Sequence, residues 1–304
     1  MRVRGGPAKR AAPVADQWTI RSVIAWTQRD FEGRAIETAR LDAELLVAHA
    51  LGIERIGLYL DLDRPLKPEE LLRIRELVSR RRKREPIAYI LGRREFWGRN
   101  FEVSPAVMIP RPDTETLVER ALDVLAPGAE ARVLDLCTGS GAIAVTLAAE
   151  RPAALVDATD LSPEALEVAG RNAVGLGVAD RVRVLPGDLF AALGEAASPR
   201  YALITANPPY IAESELGTLA EDVVRYEPRI ALTSGDEGLA LHRRIVREAP
   251  DWLQPGGTLL FEIGAGQAAP VLELVASEPR LEGARTHRDL AGIERVVEAR
   301  AVAR

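Results

Sequence analysis

The chain has 304 residues, of which 47% are hydrophobic and 28% are charged, and its formal net charge is −5. This mixture is typical of a globular protein, and the length favours two domains. One cysteine and three histidines exclude a disulfide framework and give no metal-site pattern, so we expect no metal. No apolar run approaches the ~18 residues of a membrane span, and the N-terminus lacks a signal-peptide core. We therefore expect a cytoplasmic protein that does not bind membranes.

The first third of the chain is predicted to be helical and basic. We expect residues 1–16 to be a disordered lead-in and residues 17–92 to form a small helical domain. Its segment "KPEELLRIRELVSRRRKRE" starts with proline and acids and ends with bases, as the helix dipole favours. We interpret "RRRKR" at 80–84 as a basic helix end, with a nucleic-acid patch as the alternative. Residues 1–100 carry a net charge of +7 and residues 101–304 a net charge of −12, which indicates either two surfaces with different partners or arginine-rich helices whose basic faces are solvated.

The remainder of the chain has the pattern of an α/β domain. Residues 93–113 combine aromatic residues with Gly98 and three prolines, which predicts a hairpin followed by an extended linker. In residues 114–304, apolar strands alternate with helices of 10–15 residues, which predicts a mostly parallel, Rossmann-like sheet of seven strands. The last two strands have no crossover helix between them, which predicts an antiparallel edge strand.

The segment "VLDLCTGSGAIAVTLA" at 133–148 predicts a strand, a glycine turn and a helix. Gly139 and Gly141 allow the backbone to bend sharply and to approach a ligand closely. The helix N-terminus then offers free N–H groups at the sheet edge where α/β folds bind nucleotides. A tight structural turn is the alternative interpretation.

Acidic residues follow the neighbouring strands and complete a nucleoside cradle. Asp160 ends the strand "VDATD" and is placed to bind ribose hydroxyls. Asp188 ends the third strand, placed to meet an adenine amino group, and Leu189 adds an apolar neighbour. Each acid alone, including Asp135 on the first strand, is also explained as a helix cap or turn residue.

The spacing Asp135-x-Cys137-x-Gly139-x-Gly141 resembles the D-x-G-x-G-x-G motif of class I S-adenosylmethionine-dependent methyltransferases. The resemblance implies S-adenosyl-L-methionine as the cofactor. Cys137 replaces the first glycine of that motif, and a side chain there predicts a negative φ.

A second chemical motif, "TANPPYI" at 205–211, ends a predicted buried strand. An amide or aryl nitrogen is a weak nucleophile, and its two N–H groups require two acceptors. The Asn207 side-chain oxygen and the Pro208 carbonyl supply them, while the two prolines stiffen the corner and Tyr210 packs on the flat group. The motif resembles that of adenine-N6, guanine-N2 and glutamine-N5 methyltransferases, and by itself it leaves all three open.

A longer resemblance covers nearly the whole chain from about residue 17. The segments "PIAYILGRREFWGRNFEVSPAVMIPRPDTETLVERAL", "DLCTGSGAIA", "NPPYI" and "EPRIALTSGDEGL" resemble the HemK/PrmC family of release factor glutamine methyltransferases. The resemblance implies methylation of N5 of the glutamine in the Gly-Gly-Gln motif of class I peptide chain release factors. It also implies that residues 17–92 recognise the release factor and that residues 114–304 form the methyltransferase domain.

The resemblance also assigns site residues. The implied cofactor site consists of Cys137, Thr138, Gly139, Ser140, Gly141, Asp160, Leu189 and Asn207. The implied substrate site consists of Asn207, Pro208, Pro209 and Tyr210, with Phe96 lining the approach. Arg111 and Thr114 fit either cofactor contacts or a structural linker role.

Three alternatives compete with a release factor substrate. A related family methylates a glutamine of a ribosomal protein, but its linker usually contains Arg-Ser-Pro where this chain has "IPRPDTE". A nucleic-acid methyltransferase needs a basic groove, whereas residues 101–304 are strongly acidic. A non-catalytic binding module would not need Asn207, Pro208 and Tyr210. We therefore expect a protein substrate and no stable nucleic-acid partner.

Overall fold

The computed structural model describes residues 17–194, 201–235 and 237–303. The predicted disordered lead-in at residues 1–16 lies outside the described residues. The chain divides into two compact units, and the boundary falls between Leu91 and Gly92.

The first unit is helical in its described part. Phe31, Leu46 and Ile74 are fully or almost fully buried in its core. Its second helix packs against the first and the fourth, so that most of its circumference is buried. The helices are α1 Ile20–Glu32, α2 Ala39–Leu51, α3 Arg55–Leu58, α4 Pro68–Arg82 and α5 Ile87–Leu91.

The arginines at the end of α4 are paired with acids of the same unit. Arg80 contacts Glu85, Arg81 contacts Asp42 at 2.7 Å, and Arg82 contacts Asp30 at 2.7 Å. The Arg81–Asp42 pair is almost fully buried. These ion pairs give the basic run a structural role within the helical unit, as the helix-end interpretation expects.

The second unit begins with a β-hairpin and continues as an α/β sandwich. The hairpin predicted within 93–113 is present as β1 and β2. The strands are β1 Arg93–Phe96, β2 Arg99–Glu102, β3 Ala131–Leu136, β4 Ala154–Asp160, β5 Val182–Pro186, β6 Tyr201–Ala206, β7 Leu253–Glu262, β8 Leu281–Arg288 and β9 Glu294–Ala301. The helices are α6 Glu115–Val124, α7 Ala142–Glu150, α8 Pro163–Gly175, α9 Glu221–Tyr226, α10 Ala240–Trp252 and α11 Ala268–Ala276.

The main sheet has seven strands in the order β5-β4-β3-β6-β7-β9-β8. Strands β3 to β7 pair in parallel, which confirms the predicted fold class. The final strand pair is antiparallel, as predicted: β8 lies at the edge and pairs antiparallel with β9, which lies between β8 and β7 and is antiparallel to both. The short β8–β9 turn permits either strand to pair with β7, and the apolar residues of β9 are the ones that need burial on both faces. They are buried accordingly.

Both faces of the sheet are covered by helices. Val133 and Leu203 contribute to the core under α6 and α7, whereas Leu134 and Ile204 contribute to the core under α10 and α11. This alternation follows from the two-residue period of a strand. Because β3 to β7 are parallel, their carboxyl ends come together at one edge of the sheet. Within the described residues, no helix is long and apolar enough to cross a membrane.

Candidate active site

A cleft opens at the carboxyl edge of the parallel strands. It contains about 1010 Å³ of space outside the atoms, part of it open to solvent. Beside the predicted residues, it is lined by Met108, Pro110 and Thr114 of the linker and by Ile230 and Ala231 of the segment after α9. The predicted residues that line it are Cys137, Thr138, Gly139, Ser140, Asp160, Asp188, Leu189, Asn207 and Pro209.

Asp135 supports the glycine turn from below and is fully buried. The Thr138 hydroxyl donates to Asp135 Oδ2 at 2.6 Å, and the Thr205 hydroxyl donates to Asp135 Oδ1 at 2.8 Å. Burial raises the pKa of Asp135 to about 7, and these hydrogen bonds oppose the increase. Asp135 therefore ties the turn to β6 and does not itself face the cleft.

The turn needs left-handed backbone at several positions. Gly141 has φ +78°, and a Cβ there would lie 3.1 Å from the Cβ of Ala169. Gly141 thus lets α7 pack closely on α8, and it does not line the cleft. The prediction of a negative φ at Cys137 was wrong, because its φ is +56°. The backbone at Cys137 has the left-handed conformation that favours glycine, so the cysteine side chain makes this position strained.

The two acids beyond the turn have different partners. Asp160 Oδ2 accepts the Gly139 N–H at 2.9 Å, and its Oδ1 accepts the Ser162 N–H at 2.9 Å. Burial raises the pKa of Asp160, and these N–H donors oppose the increase. Asp188 is half exposed and forms a salt bridge with Arg244 at 3.0 Å. Leu189 follows it with φ +50° and a buried side chain.

The Asn-Pro-Pro-Tyr corner at the end of β6 is held from several sides. The Tyr210 hydroxyl donates to Glu262 Oε1 at 3.0 Å, and Gln267 Nε2 donates to the Tyr210 carbonyl at 2.9 Å. Gly238 packs against that carbonyl so closely that a Cβ would lie 2.2 Å from its oxygen. Burial and the Glu262 carboxylate raise the pKa of Tyr210. Tyr210 is therefore a neutral donor with a fixed ring.

Asn207 is tied to the linker by its side chain. Its Nδ2 donates to the Thr114 hydroxyl oxygen at 3.2 Å. The side-chain oxygen Oδ1 of Asn207 then remains free to accept, as expected for one of the two acceptors of a substrate NH₂ group. Thr114 is buried just before α6 and also lines the cleft. The uncertain role of Thr114 thus becomes a direct contact with the predicted catalytic side chain.

Two residues of the segment 93–113, Phe96 and Arg111, do not line the cleft. Phe96 was expected to line the substrate approach, but it is 1% exposed and packs edge-to-face on Phe101 in the core. A phenylalanine on the inward face of a hairpin that packs on the sheet domain is buried by its own apolar surface. Arg111 donates to Glu227 at 2.6 Å, and Glu227 also accepts the Ile109 N–H at 3.3 Å. This pair joins the linker to the segment that includes Ile230.

The cleft residues fit S-adenosyl-L-methionine. The cleft is large enough for a nucleoside with an amino-acid arm, and two acidic side chains line it. Among its lining residues in the described part of the chain, none is basic, which suits a cationic sulfonium ligand. Asp160 would hold the ribose, Asp188 and Leu189 the base, and the turn at Gly139 the amino-acid part. The described residues contain no cluster of metal-ligating side chains.

The sheet, the glycine turn and the strand-end acids define a class I S-adenosylmethionine-dependent methyltransferase. A release factor glutamine methyltransferase of Geobacter sulfurreducens is 48% identical to this chain over 283 residues, covering 93% of this chain and 97% of that protein. This chain belongs to the release factor glutamine methyltransferase family, as its motifs predicted.

Two family models and a second relative agree with this assignment. Residues 22–92 match the PrmC N-terminal domain, and residues 113–235 match the methyltransferase small domain. A release factor glutamine methyltransferase of Cereibacter sphaeroides is 48% identical over 87% of this chain and 92% of its own length. A solved protein-(glutamine-N5) methyltransferase of Alicyclobacillus acidocaldarius is 31% identical, covering 66% of this chain and 99% of that chain, with a TM-score of 0.40.

Sequence reasoning missed the residues that support the corner from behind. Glu262, Gln267 and Gly238 lie 31 to 60 positions after Asn207, and none belongs to the Asn-Pro-Pro-Tyr motif. One signal was available for Glu262, because a charged residue at the end of the apolar strand "GGTLLFEI" is costly to bury without a function.

Proposed function

We propose that this protein transfers a methyl group from S-adenosyl-L-methionine to the side-chain amide nitrogen N5 of a glutamine. The proposed acceptor is the glutamine of the Gly-Gly-Gln motif in class I peptide chain release factors. The observation that carries the proposal is the position of Asn207, whose amide nitrogen is engaged by Thr114 at 3.2 Å on the edge of the cofactor cleft. The relatives that share most of the chain are named for this activity.

The residues of the corner account for the chemistry of an amide nitrogen. When bound, S-adenosyl-L-methionine supplies an electrophilic methyl group on a sulfonium. The Asn207 side-chain oxygen and the Pro208 carbonyl accept the two N–H groups of the glutamine amide and hold its nitrogen toward the cleft. Holding reactants in place in this way contributes on the order of 7–11 kcal/mol to a reaction of this kind.

Tyr210 shapes the site without acting as a base. Its hydroxyl is engaged by Glu262, and its raised pKa keeps the phenol protonated. The ring is thus available to pack against the flat amide group. The amide nitrogen forms its bond to the methyl carbon as the sulfur–methyl bond breaks, and it then becomes acidic enough to release its proton to solvent, so no strong base is needed.

The charge distribution supports a protein substrate. Residues 101–304 have a net charge of −12, which is unfavourable for binding a nucleic-acid backbone. We propose that the basic helical unit recognises the release factor, that no nucleic acid binds stably, and that the enzyme acts in the cytoplasm, where translation supplies its substrate.

The test is methylation of a purified release factor with methyl-labelled S-adenosyl-L-methionine, followed by peptide mass spectrometry. We expect the label on the Gly-Gly-Gln peptide, and none on a release factor whose motif glutamine is replaced by alanine. Ribosomal protein, DNA and RNA are offered in parallel reactions. Label on any of these, with none on the release factor, would refute the proposal.

A variant tests the mechanism separately. Asn207→Ala removes one of the two acceptors, and we expect kcat to fall on the order of 100-fold, as for loss of one preorganised hydrogen-bonding group. The affinity for S-adenosylhomocysteine, measured by calorimetry, should fall less than about tenfold. Equal losses in both quantities would show that Asn207 serves mainly the cofactor.

A further inference from the structure

We propose that Thr114 and Glu262 form a positioning relay that fixes the orientation of the Asn207 side-chain amide. Neither residue needs to touch the substrate for this role. The inference deepens the proposed function, on which its catalytic consequence rests, because it explains how one asparagine presents only its oxygen to an amide nitrogen.

The relay is built across two adjacent strand ends. Ala206 of β6 pairs with Phe261 of β7, so Asn207 and Glu262 follow side by side at the carboxyl edge. Thr114 reaches the same place from the turn before α6, and its hydroxyl accepts the Asn207 Nδ2–H at 3.2 Å. All three groups therefore meet at the edge of the cleft, which Thr114 and Asn207 line.

Glu262 sets the direction of the hydrogen bonds. Its carboxylate is 1% exposed and accepts the Tyr210 O–H at 3.0 Å. The second oxygen, Oε2, is buried without a hydrogen-bond partner among the described residues, and the Thr114 hydroxyl lies close enough to lower the pKa of this carboxylate. In the proposed relay this unpartnered oxygen accepts the single proton of the Thr114 hydroxyl, because the carboxylate in its ionised form can only accept hydrogen bonds. The Thr114 oxygen is then left to accept from Asn207, which places the Asn207 nitrogen toward Thr114.

Two hydroxyl donors and a cation lie around the Glu262 carboxylate. Burial raises the pKa of Glu262, while the hydroxyls of Thr114 and Tyr210 and the nearby Arg295 oppose that increase. Arg295 is itself held by Asp113 at 3.2 Å and by Asp289 at 3.0 Å. A buried acid is costly to maintain in a strand end, and orienting the adjacent amide gives it a function.

A reversed Asn207 amide would oppose the reaction. Its NH₂ group would then face the N–H groups of the glutamine side chain, donor against donor. An asparagine has no intrinsic preference between the two orientations, because its two ends differ little in shape. The relay supplies the preference, and it does so before the substrate arrives.

Nuclear magnetic resonance of the full chain tests the relay without any substrate. Asn100, Asn172 and Asn207 are the three asparagines of the sequence, so labelling asparagine with ¹⁵N gives three side-chain amide pairs. Asn172 is a built-in control, because its Nδ2 donates to the Ser140 carbonyl at 2.8 Å and the Glu102 carbonyl at 3.0 Å. We expect Thr114→Val and Glu262→Gln each to shift the Asn207 pair and to accelerate its hydrogen exchange, with Thr114→Ser close to wild type.

Glu262→Gln is the decisive variant, since it keeps the shape of the side chain but adds an NH₂ donor that can turn the Thr114 hydroxyl around. An Asn207 pair unmoved by Glu262→Gln would overturn the relay. A shift of the Asn172 pair as large as that of Asn207 would also overturn it, because the substitution would then act through the fold.

Kinetics supply a second, separate criterion. We expect Glu262→Gln to lower kcat about tenfold, the typical effect of losing one hydrogen bond, with the affinity for S-adenosylhomocysteine within about threefold of wild type. In an Asn207→Ala background the same change should cost less than about twofold, because the relay no longer has a target. Equal losses in both backgrounds contradict the relay. Wild-type enzyme that does not methylate a release factor refutes the proposed function, while the resonance experiment still decides the relay.

Discussion

Gly238 offers the sharpest test of how the Asn-Pro-Pro-Tyr corner is positioned. Its Cβ, if present, would lie 2.2 Å from the Tyr210 oxygen, 2.9 Å from the Tyr210 carbonyl carbon and 3.1 Å from the Ala212 nitrogen. All three neighbours are backbone atoms, so no side-chain rotation relieves the contact. Restoring a normal separation in Gly238→Ala requires a displacement of about 1 Å at the corner, and a misplacement of that size costs on the order of 100-fold in rate.

Gly128→Ala is the matched control. Gly128 has φ +76°, close to the φ of +69° at Gly238, but a Cβ at this position would meet nothing within 4 Å, and Gly128 is far along the chain from the corner. Both substitutions place an L-residue in left-handed backbone, which costs about 1–2 kcal/mol in each case. Thermal unfolding and steady-state methylation of a release factor are measured for both. We expect near wild-type kcat for Gly128→Ala, and equal activity of the two variants would refute the argument from close approach.

Three other predictions concern Asp135, Asp160 and the ion pair of Arg111 with Glu227. The folded-state pKa of Asp135, about 7, exceeds its unfolded value of 3.8, so its stability contribution is full below pH 3.8 and is lost as pH rises to 7. The quantity to measure is the unfolding free energy of wild type minus that of Asp135→Asn. This difference should fall by up to about 1.4 kcal/mol per pH unit as pH rises from 3.8 to 7, and it should be constant above pH 7. A difference that grows with pH would contradict this. Asp160→Ala should weaken S-adenosylhomocysteine binding by about 10- to 100-fold through lost hydroxyl contacts, and calorimetry showing less than a twofold change would contradict that role. Arg111→Met should lower the melting temperature more than Arg111→Met combined with Glu227→Gln, because the single change leaves a buried carboxylate unpaired; equal melting temperatures would argue against a buried ionic link.

Several features of the fold were predictable because they depend on local pattern. Alternation of apolar strands with amphipathic helices requires a parallel sheet covered on both faces, and the seven strands were found where they were expected. The place of β9 was not predictable, since a short turn allows either strand of the final pair to lie next to β7. The core position of Phe96 was also hidden, because an aromatic residue in a linker has the same sequence pattern whether it packs inward or lines a cleft.

The sequence by itself indicated S-adenosylmethionine-dependent methylation of a planar nitrogen, because the glycine turn and Asn-Pro-Pro-Tyr are local motifs whose backbone and acceptor properties follow from residue type. Only the tertiary structure decided how Asn207, the proposed catalytic asparagine, is supported. Thr114, Gly238, Glu262 and Gln267 come from separate segments, and they meet at the corner because parallel strands place their carboxyl ends at one edge. Those contacts depend on distances between elements, which residue spacing along the chain does not encode.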